Sequence, residues 1–236
     1  MKNFIYFDGY VIIEKLENYF YFCFRKDFIV SVYYVSDFHL EHEKVAWERG
    51  FNSSREHDLT LLKNIEDTVK PGDELHILGD ITYCTNPDYD RTLEDLNDFF
   101  LSTFKNTVDI HVIAGNHDKF HSIFKDSKKY LSYVYDMDAF STVSLFDQQT
   151  FNVGGEDVET LVSHFCYSGD DPFRYKKFRQ YRMPDFGMPI VHGDTHYTSK
   201  VSFSNTGTLQ VCMCLDAWDM QIVSKKQIED IMYMYL

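Results

Sequence analysis

The chain is poor in the residues that punctuate or staple a protein. Its 236 residues include only 11 glycines and 5 prolines, and the five cysteines are odd in number with no Cys-x-x-Cys spacing. Scarce glycine and proline exclude collagen-like and low-complexity readings. Cys23, Cys84, Cys166, Cys212 and Cys214 offer neither a disulfide framework nor a thiolate zinc knuckle, which predicts a reducing, cytoplasmic setting. No stretch approaches the roughly 18 apolar residues of a membrane span. The opening residues break their apolar run at Asp8 and show no small-residue cleavage site, so neither export nor a membrane partner is expected. Cations are scarce too: 23 Lys and Arg against 37 Asp and Glu leave a formal charge of −14. Such a surface repels phosphate backbones and anionic lipid, which argues against extended nucleic acid as a partner. Carboxylates that ligate metal are an exception, because the ion cancels their charge.

Aromatic residues are abundant, with Phe 21, Tyr 17 and Trp 2, and favour a sheet-rich core. Residues 1–30 alternate short aromatic or β-branched runs with turn signals and carry no evident chemistry. Asp8-Gly9 between two such runs is a hairpin signal, and strands are expected over 4–7, 10–13, 19–24 and 28–35. From Phe28 onward the pattern becomes strand, loop, helix. Helices are expected over 55–69, 91–104 and 225–234, with Leu59, Leu62, Ile65 and Val69 near one face of the first. Buried strands are expected over 31–35, 74–78, 109–114, 160–163, 189–192 and 209–215. No linker or repeat is visible. The organisation read from this is a β-strand extension over 1–30 and one α/β domain over 31–236.

Polar residues gather just past those strands, where loops of α/β proteins carry function. Five strand ends present Asp37-Phe38-His39, Gly79-Asp80, Gly115-Asn116-His117-Asp118, His164 and Gly193-Asp194-Thr195-His196. Carboxylate, amide and imidazole donors in that number suit a pair of divalent ions such as Mn²⁺, Fe²⁺ or Zn²⁺. A single Asp or His at a strand end is ordinarily a cap or turn residue; it is the ordered set that points to metal chemistry.

In order and context, these motifs resemble those of the calcineurin-like metallophosphoesterases: D-x-H, G-D, G-N-H-D/E, a lone H, and G-H-x-H. The likeness runs from about residue 31 to about 232. The context Asp37-Phe38-His39-Leu40-Glu41-His42, then Arg49, is similar to the small bacterial and phage-type branch. The resemblance implies a sandwich of two mixed β-sheets flanked by helices, with a dimetal site at the strand ends. It implies that Asp37, His39 and His196 hold one ion, that Asn116 and His164 hold the other, and that Asp80 bridges them. A metal-bound hydroxide would then hydrolyse a P–O bond. His117 would stand beside the phosphate as general acid, with Asp118 orienting its ring.

Position 194 departs from the family pattern, which has a histidine there. Asp194 still offers a donor to the second ion but changes the charge. With three Asp ligands and a bridging hydroxide against two divalent ions the site is formally neutral, which predicts diesters over monoesters and Mn²⁺, with Fe²⁺, Zn²⁺ or Mg²⁺ as alternatives. The implied substrate is a small phosphodiester or nucleotide. A nuclease of the same family and a non-catalytic scaffold with an incomplete metal site stay open as alternatives.

Other residues have plainer readings. His42 either faces solvent or lines the substrate pocket. His192, His76 and His111 fall within strands and His57 and His121 near helix starts, all read as structural or surface. Cys166, two residues past His164, reads as a wall. The segment 170–182 interleaves Arg174, Lys176, Lys177, Arg179 and Arg182 with Phe173, Tyr175, Phe178 and Tyr181. It is either a solvated helix or a cap whose Arg174 and Arg179 reach the substrate.

Overall fold

Runs of aliphatic, aromatic and β-branched residues too short for helices, each closed by a polar turn, become strands. The computed structural model describes the backbone of residues 4–7, 10–13 and 24–25, and residues 30–170 and 172–236 throughout, apart from the side chains of Arg174 and Tyr175. The chain divides into two compact units, Met1–Val30 and Ser31–Leu236. In the first, β1 (Phe4–Phe7), β2 (Tyr10–Ile13) and β3 (Phe24–Arg25) pair antiparallel in that order. Phe7 faces Tyr10, as a hairpin centred on Asp8-Gly9 requires. The strand expected over 19–24 falls, except for Phe24, outside the described residues.

The second unit holds two mixed five-stranded sheets. One contains β4 (Val32–Val35), β5 (Glu74–Ile77), β6 (Asp109–Ile113), β7 (Thr142–Ser144) and β13 (Val223–Ser224), in the order β13-β4-β5-β6-β7. Its β4 to β7 run parallel, and β13 is antiparallel to β4. The other contains β8 (Phe146–Val153), β9 (Glu156–Ser163), β10 (Ile190–His192), β11 (Val201–Phe203) and β12 (Leu209–Cys212), in the order β11-β12-β10-β9-β8. There β9, β10 and β12 are parallel, with antiparallel partners at both edges.

Two cores follow from this layering. Between the sheets lie Tyr34, Leu78, Ile113, Phe151, Val162, Val191 and Val211, closed by Ile228, Ile231 and Met232 of helix α6 (Lys225–Tyr235). On the outer face of the first sheet, Leu75, Ile77, Ile110 and Val112 pack with residues of α2 (Ser54–Thr68), α3 (Tyr89–Phe104) and α4 (Ser127–Tyr135). The buried stripe of α2 is His57, Leu61 and Ile65, continued by Val69. Leu59, expected on that face, is exposed, because the stripe advances in steps of four and position 59 falls on the far side. A short α1 (Glu43–Glu48) precedes α2, and α5 (Pro172–Phe178) follows β9. Among the described residues no helix is long and apolar enough to cross a membrane.

What matters for function is where the strands stop. A parallel bridge between Ser36 and Cys214 joins the two sheets just past β4 and β12. The carboxyl ends of β4, β5 and β6 therefore open toward those of β9 and β10, and the motif loops leave from all five.

Candidate metal centre

The chain leaves these strand ends by unusually sharp turns. Asp37, His39, Asp80, Asp194 and His196 all adopt left-handed backbone conformations, with φ between 50° and 69°. For residues with a Cβ such conformations cost about 1–3 kcal/mol each, so five at one place mark a site the rest of the fold sustains. Gly79 and Gly115 make the approach possible. A Cβ on Gly79 would lie 2.5 Å from the Gly115 amide nitrogen, and one on Gly115 would lie 2.5 Å from the Asp80 nitrogen. Only bare backbone fits there.

The turns aim donor atoms at two neighbouring points. At the first, His39 Nε2 and His196 Nε2 are 3.0 Å apart, with Asp37 Oδ1 at 3.4 Å from His196 and 3.8 Å from His39. At the second, His164 Nε2 lies 3.3 Å from Asn116 Oδ1, 3.5 Å from Asp80 Oδ1 and 3.6 Å from Asp194 Oδ1. Asp80 reaches both points, since its Oδ2 is 3.7 Å from His39 Nε2. Bonds of about 2.0–2.2 Å to one ion place its ligands about 3.0–3.6 Å apart, and the donors here, 3.0 to 3.8 Å from one another, lie close to that spacing. Asp37 Oδ1 is buried with no hydrogen-bond partner, an arrangement that a cation would satisfy and an empty core would not. The donors fit a divalent metal at both points.

The surroundings set the ring tautomers. His164 Nδ1 donates to the Leu78 carbonyl at 2.6 Å, and His196 Nδ1 donates to Asp216 Oδ2 at 3.0 Å, which leaves each Nε2 with its lone pair toward the site. Burial, helped by His196, His117 and Arg49, pushes the His39 imidazole well down, so it is a neutral donor. Burial alone would lower His164 too, yet the carboxylates of Asp80, Asp194 and Asp37 push it up to about 10. The cluster is short of positive charge. Burial raises the Asp80 carboxyl, with Asp37 and Asp118 adding to the rise.

Among the described residues a third set of donors, Glu74, His76 and His111, also lies close together. Its rings are engaged in packing: His76 stacks between Tyr34 (4.9 Å, 14°) and His111 (4.7 Å, 20°), and the Nδ1 atoms of His76 and His111 are hydrogen-bonded to Gln149 and Thr142.

The calcineurin-like phosphoesterase family model matches residues 30–207. The chain belongs to that family. Two phage proteins are similar along most of their length. The Gene 66 protein of Mycobacterium phage D29 is 32% identical over 190 residues, covering 80% of this chain and 89% of that one. The Gene 66 protein of Mycobacterium phage L5 is 28% identical over 203 residues, covering 85% and 93%. In fold the chain is similar to AQ665 from Aquifex aeolicus, a solved protein of unknown function, with a TM-score of 0.52 at 20% identity over 86% of this chain and 99% of that one.

In this calcineurin-like phosphoesterase the remaining motif residues take distinct places. The His117 ring lies 5.3 Å from that of His39, and its backbone N–H donates to Asp80 Oδ1 at 2.8 Å. His42 caps α1, accepting from the Val45 N–H, with its ring 5.7 Å from His39 and 4.5 Å from Tyr83. Asp118, expected to orient the His117 ring, spends both oxygens on main chain: Oδ2 accepts from Asp80 N and Gly115 N, and Oδ1 from Ile81 N. It staples the Asp80 loop to the Asn116 loop. His192 is buried in β10 with Nδ1 on the Gly193 carbonyl, a core residue as expected.

The basic segment divides. Lys176, Lys177 and Arg179 are exposed, and Arg179 lines a cavity of about 400 Å³ with Arg182, Met183, Asp185, Asn205 and Thr206. Arg174 lies on α5 and its side chain is outside the described residues. Phe178 is buried against Phe165, 5.3 Å between rings, which attaches the segment to the wall beside His164. Burial pushes the Cys166 thiol up to about 12, so it is a wall and a poor nucleophile.

Two residues outside the five motifs brace the site: Arg49, noted in the sequence without a role, and Asp216, not noted there. Arg49 donates through Nε and Nη2 to both oxygens of Asp216 at 3.1 and 2.8 Å, and its Nη groups also hold the carbonyls of Asp37 and Phe38. Burial works to raise the Asp216 carboxyl, but bonds from His196 and Arg49 more than reverse it and hold it below the usual carboxylate range. Asp216 stands just past β12, and the same rule that found the other strand-end carboxylates would have included it.

Proposed function

We propose that this protein is a dimetal hydrolase of a small phosphodiester or nucleotide. Asp37, His39 and His196 would hold one ion, and Asn116, His164 and Asp194 the other, with Asp80 shared. The observation that carries this reading is the pair of donor sets meeting at ligand spacing on the two oxygens of Asp80. Bound there, two divalent ions would polarise the phosphoryl group and supply a nucleophile from water at neutral pH.

The chain's own groups supply the rest. His117, beside the first donor set and partly exposed, is placed to give a proton to the leaving oxygen. His42 and Tyr83 wall the same side and orient the substrate. Access comes from that side, where the His196 side chain is 28% exposed while Asp37, Asp194 and His164 are buried. Arg179, and Arg174 before it, would contact substrate groups away from the reacting phosphorus. The three carboxylates leave two divalent ions one net positive charge before any water binds, against two with a histidine at 194. That smaller excess favours a monoanionic diester over a dianionic monoester, and a hard ligand set favours Mn²⁺.

The test is metal analysis of purified protein together with hydrolysis of bis(4-nitrophenyl) phosphate. Two ions per chain, turnover abolished by chelator and restored by Mn²⁺ are expected. Turnover that survives metal removal would sink the mechanism, and a protein that binds no metal would leave the scaffold reading.

A further inference from the structure

One cation of the basic segment is turned inward. The Arg182 side chain, just past the short turn Arg179–Tyr181, is only 3% exposed. Its Nη1 donates to the Cys166 carbonyl at 2.8 Å and meets Cys166 Sγ at 3.2 Å. Its Nη2 donates to Asp170 Oδ2 at 2.5 Å and lies 4.0 Å from Asp194 Oδ2. The guanidinium carbon stands 5.7 Å from the centre of the Phe165 ring, which itself packs edge-on against His164 at 5.1 Å. Arg182 thus grips the two residues that follow His164 and faces the outer oxygen of Asp194, while the inner oxygen faces His164.

We propose that Arg182 is the positioning residue of the second metal point, fixing Asp194 so that Oδ1 is presented to the ion and Oδ2 is not. This rests on the reading of Asp194 as a ligand. The terminal torsion of an aspartate is broad and nearly two-fold, so an unrestrained carboxylate could offer either oxygen or both. At 4.0 Å a planar, permanently charged guanidinium acts on the carboxylate through its charge and biases Oδ2 toward itself, and a lysine ammonium, flexible and strongly hydrated, would do so less well. The arrangement also answers the departure at position 194. An imidazole there would offer one ring nitrogen and no second oxygen to restrain, whereas a carboxylate has two, and Arg182, from the segment that carries the chain's densest positive charge, faces the outer one. Asp170 holds the guanidinium in place through the same Nη2 that faces Asp194.

The experiment is calorimetric titration of Mn²⁺ into the metal-stripped full chain. The variants are Arg182→Met paired with Asp170→Asn, so that no carboxylate is stranded, Arg182→Lys, and the same pair in an Asp194→His background. His164→Ala identifies which binding step belongs to the second point. That step should weaken about 10- to 100-fold in the paired variant, the size of loss typical when the partner of a ligand is removed. Arg182→Lys should fall between, and the other step should stay within threefold. With His at 194 the paired change should move neither step. Equal losses in both backgrounds would make Arg182 a merely structural pin, and no loss in either would remove it from the site; both overturn the inference and leave two-ion binding intact. A wild-type chain that takes up no Mn²⁺ would instead overturn the dimetal reading and the inference with it. Thermal melts confirm that each variant is folded.

Discussion

Asp80 is the residue on which both donor sets hang, one oxygen toward each. Asp80→Ala is expected to cost the chain both ions, read as metal per chain by mass spectrometry; two retained ions would end its bridging role. His117→Ala should keep both ions and lower kcat about 10²- to 10⁴-fold. The loss should shrink for nitrophenolate, a leaving group that needs no proton. Equal losses for good and poor leaving groups would show that the ring positions phosphate instead. At this scale the donors were legible in sequence because each follows a strand directly. Arg49 and Asp118 were noted, but their roles were not legible, since their work is on main chain and on partners far along the chain, and no local pattern encodes such pairings.

Elements were legible in proportion to their apolar content. Helix α3, strands β5 and β6, and the start of α6 follow from spacing alone. Strand β8 reads Phe-Asp-Gln-Gln-Thr-Phe-Asn-Val and buries mainly Phe151 and Val153, so it shows neither an apolar run nor a clean alternation; it is a strand because β9 pairs with all eight of its residues. In the loop just before β10, Asp185 ties its segment to the β11–β12 turn, accepting from the hydroxyls of Ser204, Thr206 and Thr208. Burial would raise its carboxyl, but these bonds outweigh that and hold it at about 2, against 3.8 for a free aspartate. A group whose proton affinity is lower in the folded chain contributes stability that is present above the unfolded value and lost as pH falls through the folded one. Asp185→Asn should therefore lower stability at pH 7 by about 1 kcal/mol, the solvent having screened part of the effect. The gap between the thermal midpoints of variant and parent should hold down to pH of about 4 and close toward 2. A gap that does not change with pH would assign the effect to packing.

For the molecule as a whole, the site is a joint between two sheets, so filling it should stabilise the entire second unit. Mn²⁺ at about 100 times its dissociation constant adds about 2.7 kcal/mol per ion. For a unit of this size that raises the melting midpoint by roughly 5–10 °C per ion, reversed by chelator. A midpoint indifferent to Mn²⁺ would mean that the donors do not bind it. The family was legible from five motifs in order, while the cavity beside Arg179 and the inward turn of Arg182 required the packing of Phe178 on Phe165, which joins segments that no spacing relates.

The contact between Gly79 and Gly115 has an evolutionary consequence. Two donor-bearing loops that touch through bare backbone take their separation from peptide geometry, which mutation of side chains leaves alone. Side-chain donors on these loops can then be exchanged one at a time without moving the points they face. Such a lineage has wide freedom to explore new metals and substrates and almost none to alter the gauge on which they are mounted.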